Sequence, residues 1–291
     1  MAVSFCLQAK PRASLSFTGR CDGNACWQAE GSLPYHLRMS VTAERMISVI
    51  VPTLNEEENI EPLVRQIMLA APDCVEIIIV DDGSIDGTRS RVRSLGSAFP
   101  VCLVERDEPT LGLSGAVLAG ARAARGGLLV VMDADLSHPP QEIPKLTEPL
   151  LAGRADMVTG SRYVAGGTTP GWPLYRKVMS RVAAALAYPL TGVHDSMGGF
   201  FAIPRATLLE LAPDAASGFK IAFEVIVRGR SGLRVLEVPI AFRDRTRGTS
   251  KMNLRVALVF SLRWSVAAVR ILTRRRGPIR EASATPVEGR S

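Results

Sequence analysis

The chain has few aromatic residues, and this scarcity narrows the partners to consider. Phe, Trp and Tyr make up 5% of its 291 residues, too few for the base-stacking surfaces that RNA-binding proteins use. The formal charge of +7 at pH 7 is compatible with nucleic acid, an anionic membrane or an anionic substrate. Because the basic excess lies after Arg243 and alternates there with Leu, Val and Ala, we expect a membrane surface or an anionic substrate, and no nucleic acid.

Cysteine is also scarce, and its pattern argues against a disulfide framework. The five cysteines are odd in number, and Cys74 and Cys102 fall in or beside predicted core elements. Cys21 and Cys26 have no second Cys or His pair nearby, which disfavours a zinc site. Free thiols are typical of a reducing compartment, so we expect a cytoplasmic location.

Several common signatures are missing. No Gly-X-Gly-X-X-Gly follows the first predicted strand and no Walker lysine is present, which disfavours dinucleotide and P-loop folds. Residues 1–45 show no helical or strand periodicity and no apolar run long enough for a secretory signal. We therefore expect a disordered extension there and a folded domain from Met46 onward.

From Met46 onward, short apolar runs alternate with amphipathic stretches. Strands are predicted at 47–51, 76–80, 101–105 and 128–132, with a short further strand at 156–159, and helices are predicted from near Glu56, after Asp86 and over 113–125. This alternation predicts an α/β fold, in which a mostly parallel, twisted sheet is flanked by helices.

Carboxylates follow the predicted strands. Asp133 and Asp135 come directly after the fourth strand, and residues two apart on an extended chain point the same way, so both can face one cation. Such oxygen ligands suit Mg²⁺ or Mn²⁺ held between the protein and a diphosphate. Asp81 and Asp82 precede a Gly-Ser turn, where they can accept hydrogen bonds from a nucleotide base or ribose.

With these segments in order, the chain resembles the family 2 glycosyltransferases of the GT-A fold, and especially their dolichol-phosphate (polyprenol-phosphate) mannosyltransferase branch. The resemblance covers 46–253, which we expect to be the catalytic domain. Seven segments in the family's order carry it: Val-Pro-Thr-Leu-Asn-Glu-Glu at 51–57, Val-Asp-Asp-Gly-Ser-Ile-Asp-Gly-Thr at 80–88, Asp-Ala-Asp-Leu-Ser-His-Pro at 133–139, Gly-Ser-Arg-Tyr at 160–163, Gly-Trp-Pro-Leu-Tyr-Arg-Lys-Val-Met-Ser at 171–180, Asp-Ser-Met-Gly-Gly-Phe-Phe-Ala at 195–202 and Arg-Thr-Arg-Gly-Thr-Ser-Lys-Met at 245–252.

The resemblance implies a donor site for a nucleotide-diphosphate sugar. Its nucleotide pocket would be lined by Pro52, Leu54, Glu56, Val80 and Asp82, with Asp133, Ala134 and Asp135 against the ribose, the metal and the diphosphate. Ser137 stands where the family often has a metal-binding Gln, so the implied metal ligands are Asp133, Asp135 and Ser137.

The resemblance also implies roles for basic side chains. Arg162 would reach the sugar or its phosphates, while Arg245 and Lys251 flank a Gly-Thr-Ser loop that would close over the diphosphate. Arg176 and Ser180 lie one helical turn apart on a helix predicted at about 172–188, and their counterparts in the family receive the lipid phosphate.

The implied reaction moves a sugar, mannose first, from a donor such as GDP-mannose to dolichyl or polyprenyl phosphate with inversion. A phosphate nucleophile is already anionic and needs no general base, so Asp195 would act as the base only toward a hydroxyl acceptor.

Residues 197–201 read Met-Gly-Gly-Phe-Phe where the branch commonly has Thr-Ser-Gly-Phe-Arg, which keeps glucose and N-acetylhexosamine open as the transferred sugar. The alternatives are a family 2 transferase that acts on a saccharide, and a nucleotide-sugar binding protein without turnover.

Residues 254–291 are expected to form a basic membrane-interface helix and a disordered tail. A helix over 254–272 would place Arg255, Arg263 and Arg270 on one stripe. Burying Arg263 at the centre of a bilayer would cost about 3 kcal/mol, so lying in the interface is favoured over spanning. We thus expect peripheral attachment to the anionic cytoplasmic face of a membrane. Packing of this helix on the catalytic domain and a separate membrane subunit are open alternatives.

Overall fold

The computed structural model describes residues 46–72, 76–106, 112–212 and 220–243. Within them a seven-stranded sheet is flanked by helices, which confirms the predicted α/β fold. Strands β1 to β7 span Ile47–Thr53, Glu76–Asp81, Val101–Glu105, Leu128–Val131, Met157–Ser161, Phe201–Pro204 and Val235–Pro239. Helices α1 to α7 span Glu57–Ala70, Thr88–Leu95, Gly112–Ala123, Ile143–Leu151, Leu174–Thr191, Arg205–Leu211 and Ile221–Gly229, and a 3₁₀ turn covers Pro140–Glu142.

The strand order across the sheet is β3-β2-β1-β4-β6-β5-β7. β1 pairs in parallel with both β2 and β4, so the carboxyl ends of these three strands meet at one edge. β6 is antiparallel to its neighbours β4 and β5, whereas β7 is parallel to β5. The crevice outside the carboxyl ends, where the strand order reverses about β1, is the usual ligand position in such sheets.

Alternate strand residues supply two apolar cores, one on each face of the sheet. Ile77 and Ile79 of β2 join α1 and α2 in one cluster, while Ile78 and Val80 join α3 in the other. A Cβ added at Gly120 of α3 would lie 2.6 Å from the Ile50 side chain, so glycine permits α3 to approach the sheet closely. This packing fixes the sheet edge on which the acids lie.

The observed bounds differ from those predicted at several elements. α5 begins at Leu174 instead of residue 172, because Pro173 precedes it with extended backbone (φ −65°, ψ 151°). It ends at Thr191 instead of about 188, and Gly192 follows it in the left-handed region (φ 68°). β5 runs two residues beyond its predicted end at 159, and β4 ends one residue before 132.

The predicted extension over 1–45 and the predicted helix over 254–272 lie outside the described residues, and so do Arg245 and Lys251. Among the helices that the structure describes, none combines the length and apolarity needed to cross a membrane.

Candidate active site

The predicted acids gather at one edge of the sheet. Asp81 ends β2 and Asp133 follows β4, on either side of β1. The backbone continues the ladder at this edge, since Met132 donates its N–H to the Ile50 carbonyl at 3.1 Å. The edge therefore brings together carboxylates that are about fifty positions apart in the chain.

The loops after β1 and β2 hold each other in place. Asn55 adopts a left-handed conformation (φ 58°), donates its N–H to Ser84 Oγ at 2.9 Å and accepts the Ile85 N–H at 2.9 Å. Asn tolerates positive φ better than most residues, which suits this crossing point. Glu56 donates its N–H to Thr88 Oγ1 at 2.9 Å, so the β1 loop is also tied to the start of α2.

Two aspartates with different partners face this region. Asp81 is fully buried and accepts a hydrogen bond from Arg89 Nε at 2.5 Å, while its Oδ2 has no partner within the described structure. Asp82 pairs with Arg106, with 2.5 Å between Oδ1 and Nη1. Burial raises the pKa of Asp82, and the Arg106 charge opposes that rise. A half-buried carboxylate here can accept N–H groups of a nucleobase.

The other residues predicted to line the nucleotide pocket differ in their exposure and in which of their atoms face the sheet edge. Pro52 is half-buried and Leu54 is exposed at the rim, while Glu56 accepts a hydrogen bond from Asn59 Nδ2 at 2.7 Å. The Val80 side chain lies in the core against α3, so only its backbone faces the edge. Its carbonyl accepts a hydrogen bond from Thr53 Oγ1 at 3.3 Å.

The turn after β4 orients Asp133 and Asp135. Asp135 is almost fully buried, and its Oδ1 accepts the Ser137 N–H at 3.1 Å. Leu136, which lies between Asp135 and Ser137, has a φ of 61°, a conformation that costs about 1 kcal/mol or more for a branched side chain. Ala134 is buried among the apolar residues behind the turn, so its backbone alone can face a ligand. The turn thus holds the Asp135 carboxylate in place.

His138 supports the same turn and was not assigned a role from the sequence. Its Nδ1 accepts the Asp133 N–H at 3.0 Å, and its ring stacks on Phe200 with 5.1 Å between centroids. Burial lowers the pKa of His138, although the charges of Asp133 and Asp135 oppose this effect. A neutral ring whose Nδ1 accepts a hydrogen bond carries its proton on Nε2.

The donor set suits a hard divalent cation that a diphosphate helps to hold. Only Asp133 and Asp135 contribute carboxylates, and the described residues contain no cluster of three or more His, Cys, Asp or Glu side chains arranged for a metal. The Ser137 Oγ is buried and has no partner in the described structure, so it can bind a metal-bound water. Mg²⁺ and Mn²⁺ commonly use one or two carboxylates and substrate phosphates. The residues present therefore fit such an ion.

Arg162 and Asp195 form a bidentate ion pair beside the acids. Two contacts of 2.7 Å join Nε to Oδ2 and Nη2 to Oδ1, and the Arg162 N–H also donates to Oδ2 at 2.9 Å. Burial lowers the pKa of Arg162, but the hydrogen bonds and charge of Asp195 outweigh that effect and raise it. Because both Asp195 oxygens are engaged, the structure gives Asp195 the task of positioning Arg162.

A second carboxylate holds Asp195 in turn. Glu237 on β7 accepts the Asp195 N–H at 2.9 Å through Oε1 and the His194 N–H at 2.8 Å through Oε2. Glu237 belongs to none of the sequence motifs, since its role depends on a contact between distant parts of the chain.

Lys220 is a further basic residue near Arg162 for which the sequence predicts no role. It lies just before α7 and donates from Nζ to the Met197 carbonyl at 2.9 Å. Burial and the Arg162 charge lower the pKa of Lys220, while Asp133 and Asp195 oppose this. Its only sequence signal was a single lysine ahead of an apolar helix.

A cationic pocket adjoins Arg162 on the side of α5. It has a volume of about 220 Å³, and Arg162, Tyr163, Trp172, Lys177 and Arg181 are among its lining residues. The Tyr163 hydroxyl donates to Ser180 Oγ at 2.5 Å. The Arg176 guanidinium lies 4.0 Å from the centroid of the Trp172 ring, a cation–π distance. Three cations around one open pocket suit a phosphate group.

Comparison with known proteins agrees with this arrangement. The family model described as Glycosyl transferase family 2 matches residues 48–212. A dolichol-phosphate mannosyltransferase of Pyrococcus furiosus is 43% identical over 214 residues, which cover 71% of this chain and 59% of that protein. The chain thus spans less than two thirds of that relative. A polyprenol monophosphomannose synthase of Mycolicibacterium smegmatis is 39% identical over 245 residues, 80% of this chain and 91% of that protein.

The fold also recurs among solved structures. A glucosyl-3-phosphoglycerate synthase of Mycobacterium tuberculosis matches with a TM-score of 0.60 and 23% identity, covering 83% of this chain and 85% of that one. The same enzyme has been solved in complex with Mn²⁺, UDP and glucosyl-3-phosphoglycerate, and that structure matches with a TM-score of 0.59. At this identity the likeness concerns the fold.

Proposed function

Because the chain belongs to glycosyltransferase family 2, we propose that it transfers a mannosyl group from GDP-mannose to polyprenyl phosphate, with inversion at the anomeric carbon. The observation that supports the acceptor is the pocket lined by Arg162, Lys177 and Arg181, in which Arg162 also interacts with the charge of Asp133. The relatives' names support both the sugar and the lipid class.

The donor would lie along the carboxyl edge of β1, β2 and β4. Asp82 and the unpartnered Oδ2 of Asp81 are acceptors for base or ribose groups. Asp133 and Asp135 would hold Mg²⁺ or Mn²⁺, with Ser137 nearby to bind a coordinated water. When bound, such an ion neutralises the diphosphate and makes it a better leaving group.

The transfer is a single displacement in this scheme. A phosphate oxygen of the lipid forms the bond to the anomeric carbon, and the bond from that carbon to the diphosphate oxygen breaks, with its electron pair remaining on the nucleotide. No proton has to be removed from the nucleophile, which agrees with Asp195 being engaged by Arg162. Arg162, whose positive charge Asp195 stabilises, lies beside the acids, and a positive charge there would stabilise the negative charge that develops on the leaving group.

We propose that the protein works at the cytoplasmic face of a membrane as a peripheral protein. The lipid acceptor requires a membrane surface, and Lys177 and Arg181 offer positive charge next to the pocket. Within the described residues Cys102 forms no disulfide, which is compatible with a reducing compartment.

A panel of donors tests the proposal. Purified full-length chain is incubated with polyprenyl phosphate, Mg²⁺ or Mn²⁺, and one labelled sugar nucleotide at a time: GDP-mannose, GDP-glucose, UDP-glucose or UDP-N-acetylglucosamine. We expect label in the organic extract with GDP-mannose only, and none with Asp135→Ala. Strong transfer from a UDP-sugar would refute the proposed donor, and tight metal-dependent nucleotide binding without transfer from any donor would refute the acceptor.

A further inference from the structure

Helix α5 presents a broad apolar face to solvent. Six exposed large side chains form it, each between 52% and 76% accessible: Leu174, Tyr175, Val178, Met179, Val182 and Leu186, while Tyr188, at 44%, lies outside this group. At about 100° per residue these positions fall within an arc of roughly 140° on the helix surface. An apolar arc of that width normally faces the protein core.

The opposite side of α5 attaches the helix to the domain through small side chains. Ala184, Ala187 and Leu190 are buried there. Ala187 and Leu190 pack against Met197 and Phe223. Helix α1 shows the usual arrangement, since its large apolar residues are buried and Leu69 is the exposed exception. The amphipathic pattern of α5 is therefore turned outward.

Basic side chains border this face. Lys177 and Arg181 are one helical turn apart, and both lie between the apolar arc and the buried side of α5. Both line the pocket that contains Arg162. The pocket opening thus lies at the margin of the apolar face, and positive charge lies between the two.

We propose that the exposed face of α5 docks on an anionic lipid bilayer, with its apolar side chains inserted among the acyl chains and the pocket at the level of the headgroups. This inference rests on the proposed function and deepens it, because it states how the site meets its acceptor. A lipid phosphate at headgroup depth lies beside Lys177 and Arg181, while its apolar chain continues into the bilayer along α5. Apolar insertion combined with basic flanks is the pattern of interfacial helices.

Charge complementarity favours a lipid surface over a protein partner. One edge of the face is cationic, so a second copy docking antiparallel through the same face would bring Lys177 and Arg181 of each copy toward each other. An anionic bilayer offers apolar depth and negative charge at once. A second copy, or the chain beyond residue 243, is the competing occupant that the experiment distinguishes.

Vesicle flotation of the full chain tests the docking face. Vesicles of phosphatidylcholine alone are compared with vesicles of phosphatidylcholine and phosphatidylglycerol, using the double variant Val178→Glu/Val182→Glu. Leu69→Glu on α1 is the matched control, since Leu69 is equally an exposed apolar helical residue. We expect the double variant to lower binding to the anionic vesicles at least about tenfold, and the control to change it less than about twofold.

Two further measurements separate this inference from the proposed function. Transfer is assayed with long-chain polyprenyl phosphate in anionic vesicles and with a short-chain acceptor free in solution; we expect the double variant to lose the first and keep the second. A wild-type chain that floats but transfers to neither acceptor refutes the proposed function and leaves the docking face standing.

Three results would overturn the docking face. One is unchanged flotation of the double variant. Another is a wild-type dimer that light scattering shows to become monomeric in the variant, which assigns the face to a second copy. The third is a fall in the variant's thermal unfolding midpoint well beyond that of Leu69→Glu, which assigns the face to packing within the chain.

Discussion

Asp195 binds Arg162 through both of its carboxylate oxygens, and three hydrogen bonds of 2.7 to 2.9 Å join the two residues. The Asp195 side chain is fully buried and that of Arg162 is 11% exposed. The rings of Tyr163, Trp172 and Phe242 surround the guanidinium with centroids 5.2 to 5.5 Å away. This enclosure keeps a permanent positive charge at one place beside the predicted metal ligands.

The ion pair is expected to be strongly coupled in the stability of the fold. Asp195→Ala should lower the free energy of unfolding by about 3–5 kcal/mol, because it leaves a buried guanidinium without its partner. Adding Arg162→Ala should cost much less than the sum of the two single changes. Urea unfolding of the four proteins measures this coupling. Glu61→Ala, which removes the exposed pair with Arg65, is the control and should change stability by less than about 1 kcal/mol. Additive single effects at Asp195 and Arg162 would contradict the expected coupling.

Glu237 should affect transfer through Asp195 without touching substrate. Glutamine at this position has one acceptor oxygen for the two backbone N–H groups, so Glu237→Gln should reduce stability by about 1–3 kcal/mol. Since the loop that holds Asp195 then loosens, we expect the transfer rate constant to fall between about tenfold and a hundredfold. Steady-state kinetics and urea unfolding measure the two effects, with exposed Glu210→Gln as control. Reduced stability with unchanged transfer would show that Glu237 is only structural.

Ser137→Ala should separate metal binding from folding. Removing a buried hydroxyl without a partner should leave the metal-free stability unchanged or raise it by up to about 1 kcal/mol. If the hydroxyl holds a metal-bound water, the affinity for Mn²⁺ in the presence of a nucleoside diphosphate should fall about tenfold. Calorimetric titration measures that affinity. Thr159→Val removes another unpartnered buried hydroxyl, on β5, and should not change it. Equal Mn²⁺ affinity in wild type and Ser137→Ala would show that Ser137 has no part in the metal site.

Asp156 should make stability depend on pH in the acidic range. The hydrogen bonds of Arg234 lower the pKa of Asp156 below its usual 3.8. Since the folded state holds the carboxylate more strongly than the unfolded state, this contribution is complete above the usual pKa and is lost as the pH falls through the folded-state pKa. The pair is about one third exposed, so its contribution is at most about 1 kcal/mol. The unfolding free energies of wild type and Asp156→Asn should differ by that amount at pH 7, and the difference should shrink as the pH falls below 3.8. A constant difference across this range would contradict the assignment.

The sequence allowed the sheet and its acids to be predicted because both depend on local pattern. Four apolar, β-branched runs predicted β1 to β4 within two residues of their observed ends, and the acids follow those strands directly. β6 escaped prediction because its Phe-Ala-Ile-Pro sequence lacks the Leu-Leu-Val-Val run of β4 and ends in proline, and its antiparallel pairing depends on β4 and β5.

The residues that support the site could not be found in the same way. Glu237 contacts Asp195 from 42 positions away, and no local pattern encodes that distance. His138 lay within a recognised segment, but its task depends on burial against Phe200 and Phe242. The sequence predicts the helix at about 172–188 but not the outward direction of its apolar face, since periodicity shows that a helix has a face and does not show what covers it.

The most direct test of the account compares two acceptors that differ only in the phosphate. Full-length chain, GDP-mannose labelled in the sugar and Mn²⁺ are incubated with polyprenyl phosphate or with the corresponding polyprenol, and label in the organic extract is counted. We expect transfer to polyprenyl phosphate only, because the cationic pocket suits a phosphate and Asp195, whose two oxygens bind Arg162, is not available to deprotonate a hydroxyl. Comparable transfer to polyprenol would contradict the assignment of the acceptor and the base-free mechanism together.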